Sequence, residues 1–413
     1  HSMPPRAKVG ANYINSRYAY LEAQSLSFDF PIMLDRMGKV SESSGSCLMM
    51  FRDGVLVTPP NSASIVESIT RNTLLELSRK FNYTTEIRSV DKTELYSADE
   101  IFLCGSSVEI IPLVSIDNQI IGNGLTGTFT KKIYKEIGNK SPILELTQDQ
   151  AKSLEINLSK KGDYKCFVVM RCWHPRASDV IKKVREYNPE EIILLPLYPQ
   201  YSASTSGSSI NEWGDLCKKE NYHVKTKTIC CYPTENNFIT SHISLIKKTL
   251  KVIEDNNFKL IFSAHGLPKS KIKKGDPYQW QVEETVKKIM SNLENENLNY
   301  VISYQSRVGP LKWIGPSTDE VIIKYSKEKK GIVIVPIAFV SEHSETLVEL
   351  DIEYKKLAEK NGCGFYKRVP ALGIEENFIK GLTELVLKQE TRGNFVSSLM
   401  CPNKYVKCPC LEL

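Results

Sequence analysis

At 413 residues, with 41% hydrophobic and 25% charged side chains, the chain is too long for one average domain and has the composition of a soluble globular protein of two or three units. A formal net charge of +6 without a dense Lys/Arg block argues against nucleic-acid binding, while a weakly basic surface favours an anionic substrate or an acidic membrane face. The longest apolar run, IVIVPIAFV (332–340), has nine residues and a proline, far short of the roughly 20 that span a bilayer. No transmembrane segment or secretory leader is therefore expected, and eleven cysteines suggest a reducing compartment rather than a disulfide scaffold.

In chain order, residues 11 to about 134 predict a mixed, mainly antiparallel α+β region. Its short strands are FPIMLD, RMGKV, LMMF, GVLVTPP, TTEIRSV, EIFLCG and EIIPLVSID, with one clear helix over 64–81. From about residue 140 the rhythm changes. Apolar strands CFVVM (166–170), IILLPL (192–197), LIFS (260–263), YVIS (300–303) and GIVIVP (331–336) alternate with helices over 178–187, 237–255, 278–293, 347–361 and 377–389. Strands apolar on both faces between amphipathic helices predict α/β architecture, with doubly wound parallel sheets that bind ligands at the carboxyl ends of their strands. The boundary is placed near 131–140, giving units over 1–133, 134–235, 236–370 and 371–413.

The chemistry-bearing residues follow strands. FSAHGLP (262–268) delivers His265 into a Gly-Pro turn, and VPIAFVSEHSETLVELD (335–351) delivers Glu342, His343 and Glu345 at the start of a helix. Glu345, Glu349 and Glu353 are spaced by four and stack on one α-helical face, without lysines at the same spacing. Such a row is either a mildly repulsive solvated face or a path for divalent cations and protons leading to a histidine.

IILLPLYPQYSASTSGSS, FSAHGLP, GDPY, YQSRVGPLKWIGPSTDE and VPIAFVSEHSETLVELDIEY closely resemble ferrochelatase motifs in order and spacing, from about residue 134 to the end. The resemblance implies two Rossmann-like lobes with a porphyrin pocket between them, ferrous iron and protoporphyrin IX as substrates, and protoheme as product. It makes His265 the pyrrole base or metal ligand, Glu345 the facing carboxylate, and His343, Glu349 and Glu353 the support and acidic row behind it. It also places Tyr134, Arg171, Trp313 and Phe339 around the porphyrin. A base suited to neutral pH and a carboxylate able to replace a cation's waters are what such a reaction requires.

Cys401, Cys408 and Cys410 form C-x6-C-x-C in the last thirteen residues. Clustered thiolates in a reducing compartment select zinc or iron–sulfur clusters. The triplet is similar to that of bacterial ferrochelatases carrying a two-iron two-sulfur cluster, whose internal ligand would lie near YSAST (201–205). No cysteine stands there, and Cys172 is one substitute candidate.

The first part resembles the large domain of fold-type IV pyridoxal-phosphate aminotransferases of the branched-chain kind, through AKVGANYINSR, DRMGKVSESSG, DGVLVTPP, ESITRNTLLEL and YSADEIFLCGSSVEIIPLVSID. That resemblance implies Lys8 as the Schiff-base lysine, Tyr13 on the phenolic oxygen, Glu42 on the pyridine nitrogen, and Ile69, Thr70, Ser106 and Ser107 on the phosphate. The combined expectation is a fusion of two truncated enzymes, cytoplasmic or peripheral to the inner membrane in a bacterium, or on the matrix side of the mitochondrial inner membrane in a eukaryote. Aminotransferase activity in the first part, an inert porphyrin-binding protein, membrane contact and a homodimer stay open.

Overall fold

The computed structural model describes residues 13–66, 68–105, 109–136, 142–171, 173–293, 298–306, 311–343, 345–388, 395–397 and 401–411. The chain divides near residue 141 into two compact units.

The first unit is a seven-stranded sheet. Its pairs are antiparallel except Val55–Thr58 with Thr84–Ile87, which run parallel. The central strands Ser46–Arg52 and Glu100–Gly105 bury both faces: Leu48, Met50, Ile101 and Leu103 enter one apolar cluster, and Cys47, Met49, Phe102 and Cys104 the other. This two-residue alternation follows from the pleat. The helix expected over 64–81 is Ile69–Lys80, whose first turn is capped by the Ser68 hydroxyl accepting from the Arg71 N–H.

The second unit holds two parallel sheets. One runs in the order Tyr300–Gln305, Phe258–His265, Gly331–Pro336, Tyr366–Arg368, and the other pairs Glu191–Leu194 with Lys225–Cys231 and that with Phe395–Ser397. Ile332–Val335 and Leu260–Phe262 are fully buried, so the expected two-face burial is observed. The chain thus carries an antiparallel-rich α+β unit followed by doubly wound parallel sheets.

Three expectations are corrected. Residues 166–170 form no strand; the Cys166 N–H goes to the Glu155 carboxylate (2.7 Å) and the Met170 N–H to the Pro175 carbonyl (2.8 Å), leaving no ladder for a neighbouring strand. The segment expected as one α-helix over 347–361 is a π-helix, Glu345–Tyr354, continued by the α-helix Lys355–Lys360. Helices Ile143–Leu158, Ser206–Lys219 and Thr318–Lys327 and strand Lys225–Cys231 were not anticipated. Among the described residues no helix is long and apolar enough to cross a membrane.

Candidate active site and cysteine centre

The parallel register aligns His265 with Gln305, the last residues of adjacent strands, and the loop after Pro336 carries Phe339, His343 and Glu345 to the same carboxyl edge. The Glu345 carboxylate stands between two imidazoles, with Oε1 3.5 Å from His265 Nε2 and Oε2 3.5 Å from His343 Nε2. Each ring is oriented through its other nitrogen: His265 Nδ1 lies 2.7 Å from the Gly266 carbonyl, and His343 Nδ1 3.1 Å from that of Ser341. The His265 side chain is 39% exposed, whereas Glu345 is 13% exposed, so the imidazole meets solvent or ligand while the carboxylate supports it from beneath.

The loop bearing these groups is fixed by ions and amides. Arg368 spans Asp351 with two hydrogen bonds (2.7 and 2.8 Å) and also donates to Glu342 (2.8 Å), which accepts from the Ala371 N–H as well. Gln150 donates to the Val340 and Gly373 carbonyls and accepts from the Ser341 hydroxyl.

The acidic row is not a solvated face, because Glu345, Glu349 and Glu353 are all half-buried. Glu349 accepts from Gln305 Nε2 (2.9 Å), the Ser306 N–H (3.0 Å) and hydroxyl (2.7 Å), and the Tyr354 hydroxyl (2.9 Å). Burial first, and then the Glu345 charge, push its carboxyl up to about 7 against the pull of those donors. Tyr354 reaches it from five residues on, the pitch at which a π-helix closes its turns.

Phe339 packs on the His343 ring with centroids 4.8 Å apart. Half-buried Trp313 pairs with Pro268 in an isolated bridge, three residues beyond His265. Arg171 instead binds Ser208 and Glu212 (3.0 and 3.2 Å) along an open cleft with Asp215 and Lys219. Tyr134 belongs to helix Thr128–Glu136 of the first unit, and its side chain lies outside the described residues. Arg368, Gln305 and Tyr354 were missed from sequence, though Tyr354 ends the quoted motif at the spacing that a π-helix uses.

Cys230, Cys408 and Cys410 bring their sulfurs within 4.8 Å of one another. Cys401 reaches the Cys408 thiol. Among the described residues the thiol that joins the tail is Cys230; Cys172, the candidate named from sequence, lies outside them. The route is topological: strand Phe395–Ser397 adds to Lys225–Cys231 and returns the tail to the sheet that carries Cys230. A bulge between Ile229 and Cys231 turns both neighbouring cysteines toward the tail, where a regular strand would point them to opposite faces. Gly275 of GDPY lets the tail approach, since a Cβ there would stand 2.6 Å from Val406 Cγ2, and its φ is +88°. Cys230, Cys231, Cys401, Cys408 and Cys410 are five buried sulfurs, and among the described residues no carboxylate joins the close group, which suits a soft metal centre.

In the first unit Glu42 is buried, accepts from the Val66 N–H (2.9 Å), and has its carboxyl pushed up to about 7 by desolvation. The Ser43 and Ser46 hydroxyls, in the next cross-strand pair, are buried without hydrogen-bond partners. The buried Glu42 carboxylate is the group that suits a protonated pyridine nitrogen. Half-buried Thr70 lies in the first turn of Ile69–Lys80. Lys8, Ser106, Ser107 and the side chains of Tyr13 and Ile69 lie outside the described residues.

A histidine–carboxylate–histidine set at the carboxyl edge of a doubly wound sheet defines an α/β enzyme equipped to handle protons and a cation. The Ferrochelatase family model matches residues 109–390, beginning earlier than the motifs near 134, and an Amino-transferase class IV model matches residues 1–116. The Ferrochelatase of Pelagibacter ubique is 64% identical over 289 residues, covering 68% of this chain and 83% of that protein; the Ferrochelatase of Rickettsia felis is 48% identical over the same shares. Branched-chain amino acid aminotransferases of Escherichia coli and Thermobaculum terrenum are similar at 35% and 44% identity, with TM-scores of 0.32. They cover 32% and 33% of this chain, which spans 44% and 45% of theirs. The chain belongs to the ferrochelatase family.

Proposed function

We infer that the second unit inserts ferrous iron into protoporphyrin IX to form protoheme, the last step of heme biosynthesis. The observation that carries the roles of individual residues is the Glu345 carboxylate held 3.5 Å from both His265 and His343. A porphyrin loses two N–H protons as the cation enters. The exposed His265 nitrogen is suited to take a proton or to ligate the metal, and Glu345 either stabilises the resulting imidazolium or replaces a water on the iron. Glu349, with a carboxyl near 7, is suited to pass a proton onward at neutral pH, with Glu353 further along the row. Phe339 and Trp313 supply apolar surface for the flat ring, and Arg171 a cationic group for a propionate. In His265→Ala, porphyrin binding should persist while insertion falls by at least 100-fold, the upper part of what general acid–base groups contribute, about 10²–10⁴. Turnover within a factor of a few of the parent would reject the role.

We propose further that Cys230, Cys401, Cys408 and Cys410 hold a two-iron two-sulfur cluster, which when bound would supply one-electron redox chemistry. The protein's part is to bury the four sulfurs and to fasten the tail to the helix Tyr278–Ser291 through the Trp280–Tyr405 stack (5.3 Å). Pyridoxal phosphate in the first unit is likewise a proposal, supported by the buried Glu42 carboxylate, raised to about 7 by desolvation.

A further inference from the structure

We propose that Gln281 is the positioning residue of the cysteine centre, its side-chain amide donating one N–H to the Cys401 sulfur and the other to Cys231, so that it tunes the centre. The inference rests on the cluster reading above.

Gln281 is fully buried in the first turn of the helix Tyr278–Ser291. Its Oε1 accepts the Tyr201 N–H at 2.7 Å, which fixes the amide orientation: with the oxygen committed to a backbone donor, the nitrogen faces the sulfurs. That nitrogen lies 3.2 Å from Cys401 Sγ and 3.3 Å from Cys231 Sγ. Two N–H groups meet two sulfurs, and no donor is left over. Cys231 also lies 3.2 Å from the Ser397 hydroxyl and touches Cys230; like Cys401 it stands beside the group of three mutually close thiols.

A donor beside a ligating thiolate favours the more negative, reduced state of an iron–sulfur cluster and so raises its potential. The same helix begins at Tyr278, which packs near the His265 backbone and the Glu345 charge. Gln281 therefore stands on the element that borders both the cysteine centre and the catalytic histidine.

The test compares parent, Gln281→Met and Gln281→Glu in the full chain, purified anaerobically, with iron and acid-labile sulfide counted and the cluster's midpoint potential read by electron paramagnetic resonance. Gln281→Met keeps the length and removes both donors; Gln281→Glu keeps the acceptor for Tyr201 and carries the measurement if the methionine variant loses its cluster. Both potentials should shift below the parent's, further in Gln281→Glu because a negative charge is added. Cys231→Ser should keep the cluster. A variant with full iron and sulfide and the parent's potential overturns the inference while leaving the cluster reading intact. Parent protein without iron and sulfide overturns the cluster reading, and this inference with it.

Discussion

Burial is the first cause of the raised carboxyls of Glu42 and Glu349. The spacing of Glu345, Glu349 and Glu353 is visible in the sequence and suggests a repulsive exposed row. Its environment is not visible, because three of the four hydrogen bonds to Glu349 come from Gln305 and Ser306, more than forty residues away, and only the fourth from nearby Tyr354. Glu42 makes the point without the complication of a reaction. Its carboxyl is raised from 4.5 to about 7 by desolvation, against a backbone hydrogen bond. The folded state thus binds the proton more tightly than the unfolded chain, and this stabilisation is complete below about pH 4.5 and lost as pH rises toward 7. Glu42→Gln keeps an oxygen for the Val66 N–H and removes the titration. Its first unit should unfold with flat stability over that window, where the parent loses up to about 3 kcal/mol, at 1.36 kcal/mol per pKa unit. A pyridinium nitrogen at Glu42 would restore the ionised form, so added pyridoxal phosphate should raise the parent's thermal midpoint at pH 8 and leave the variant's unchanged. Equal pH profiles would remove the burial argument, and equal ligand responses the cofactor reading.

At the level of elements, the sequence discloses what local periodicity encodes. Gly331–Pro336 is observed with the expected bounds, and the strand behind His265 with only its ends extended. What periodicity does not encode is pairing between distant segments. The run at 166–170 reads as a strand but has no partner ladder, while Lys225–Cys231, polar at its start, becomes the strand to which the C-terminal segment adds. That non-local pairing brings Cys230 to the tail, and the CC dipeptide at the end of a strand was the one local signal for it. The π-helix was equally hidden, since residue propensities do not distinguish it from an α-helix. Cys230→Ser should lose bound iron and sulfide in full, whereas a substitution at Cys172 should leave them in place. Retention of the metal in Cys230→Ser would show that the four-sulfur arrangement is not the binding set.

For the whole molecule, the chain folds as two compact units, and the change of rhythm in the sequence is reproduced as an antiparallel-rich unit followed by parallel sheets. His265, His343 and Glu345 meet inside the second unit, which is where turnover belongs. The direct measurement is anaerobic mixing of the intact chain with protoporphyrin IX and ferrous iron, following porphyrin fluorescence and heme absorbance together. The expected result is catalytic loss of fluorescence matched by heme formation over many turnovers per chain. Porphyrin that binds and stays fluorescent, with heme forming no faster than without protein, would contradict the account.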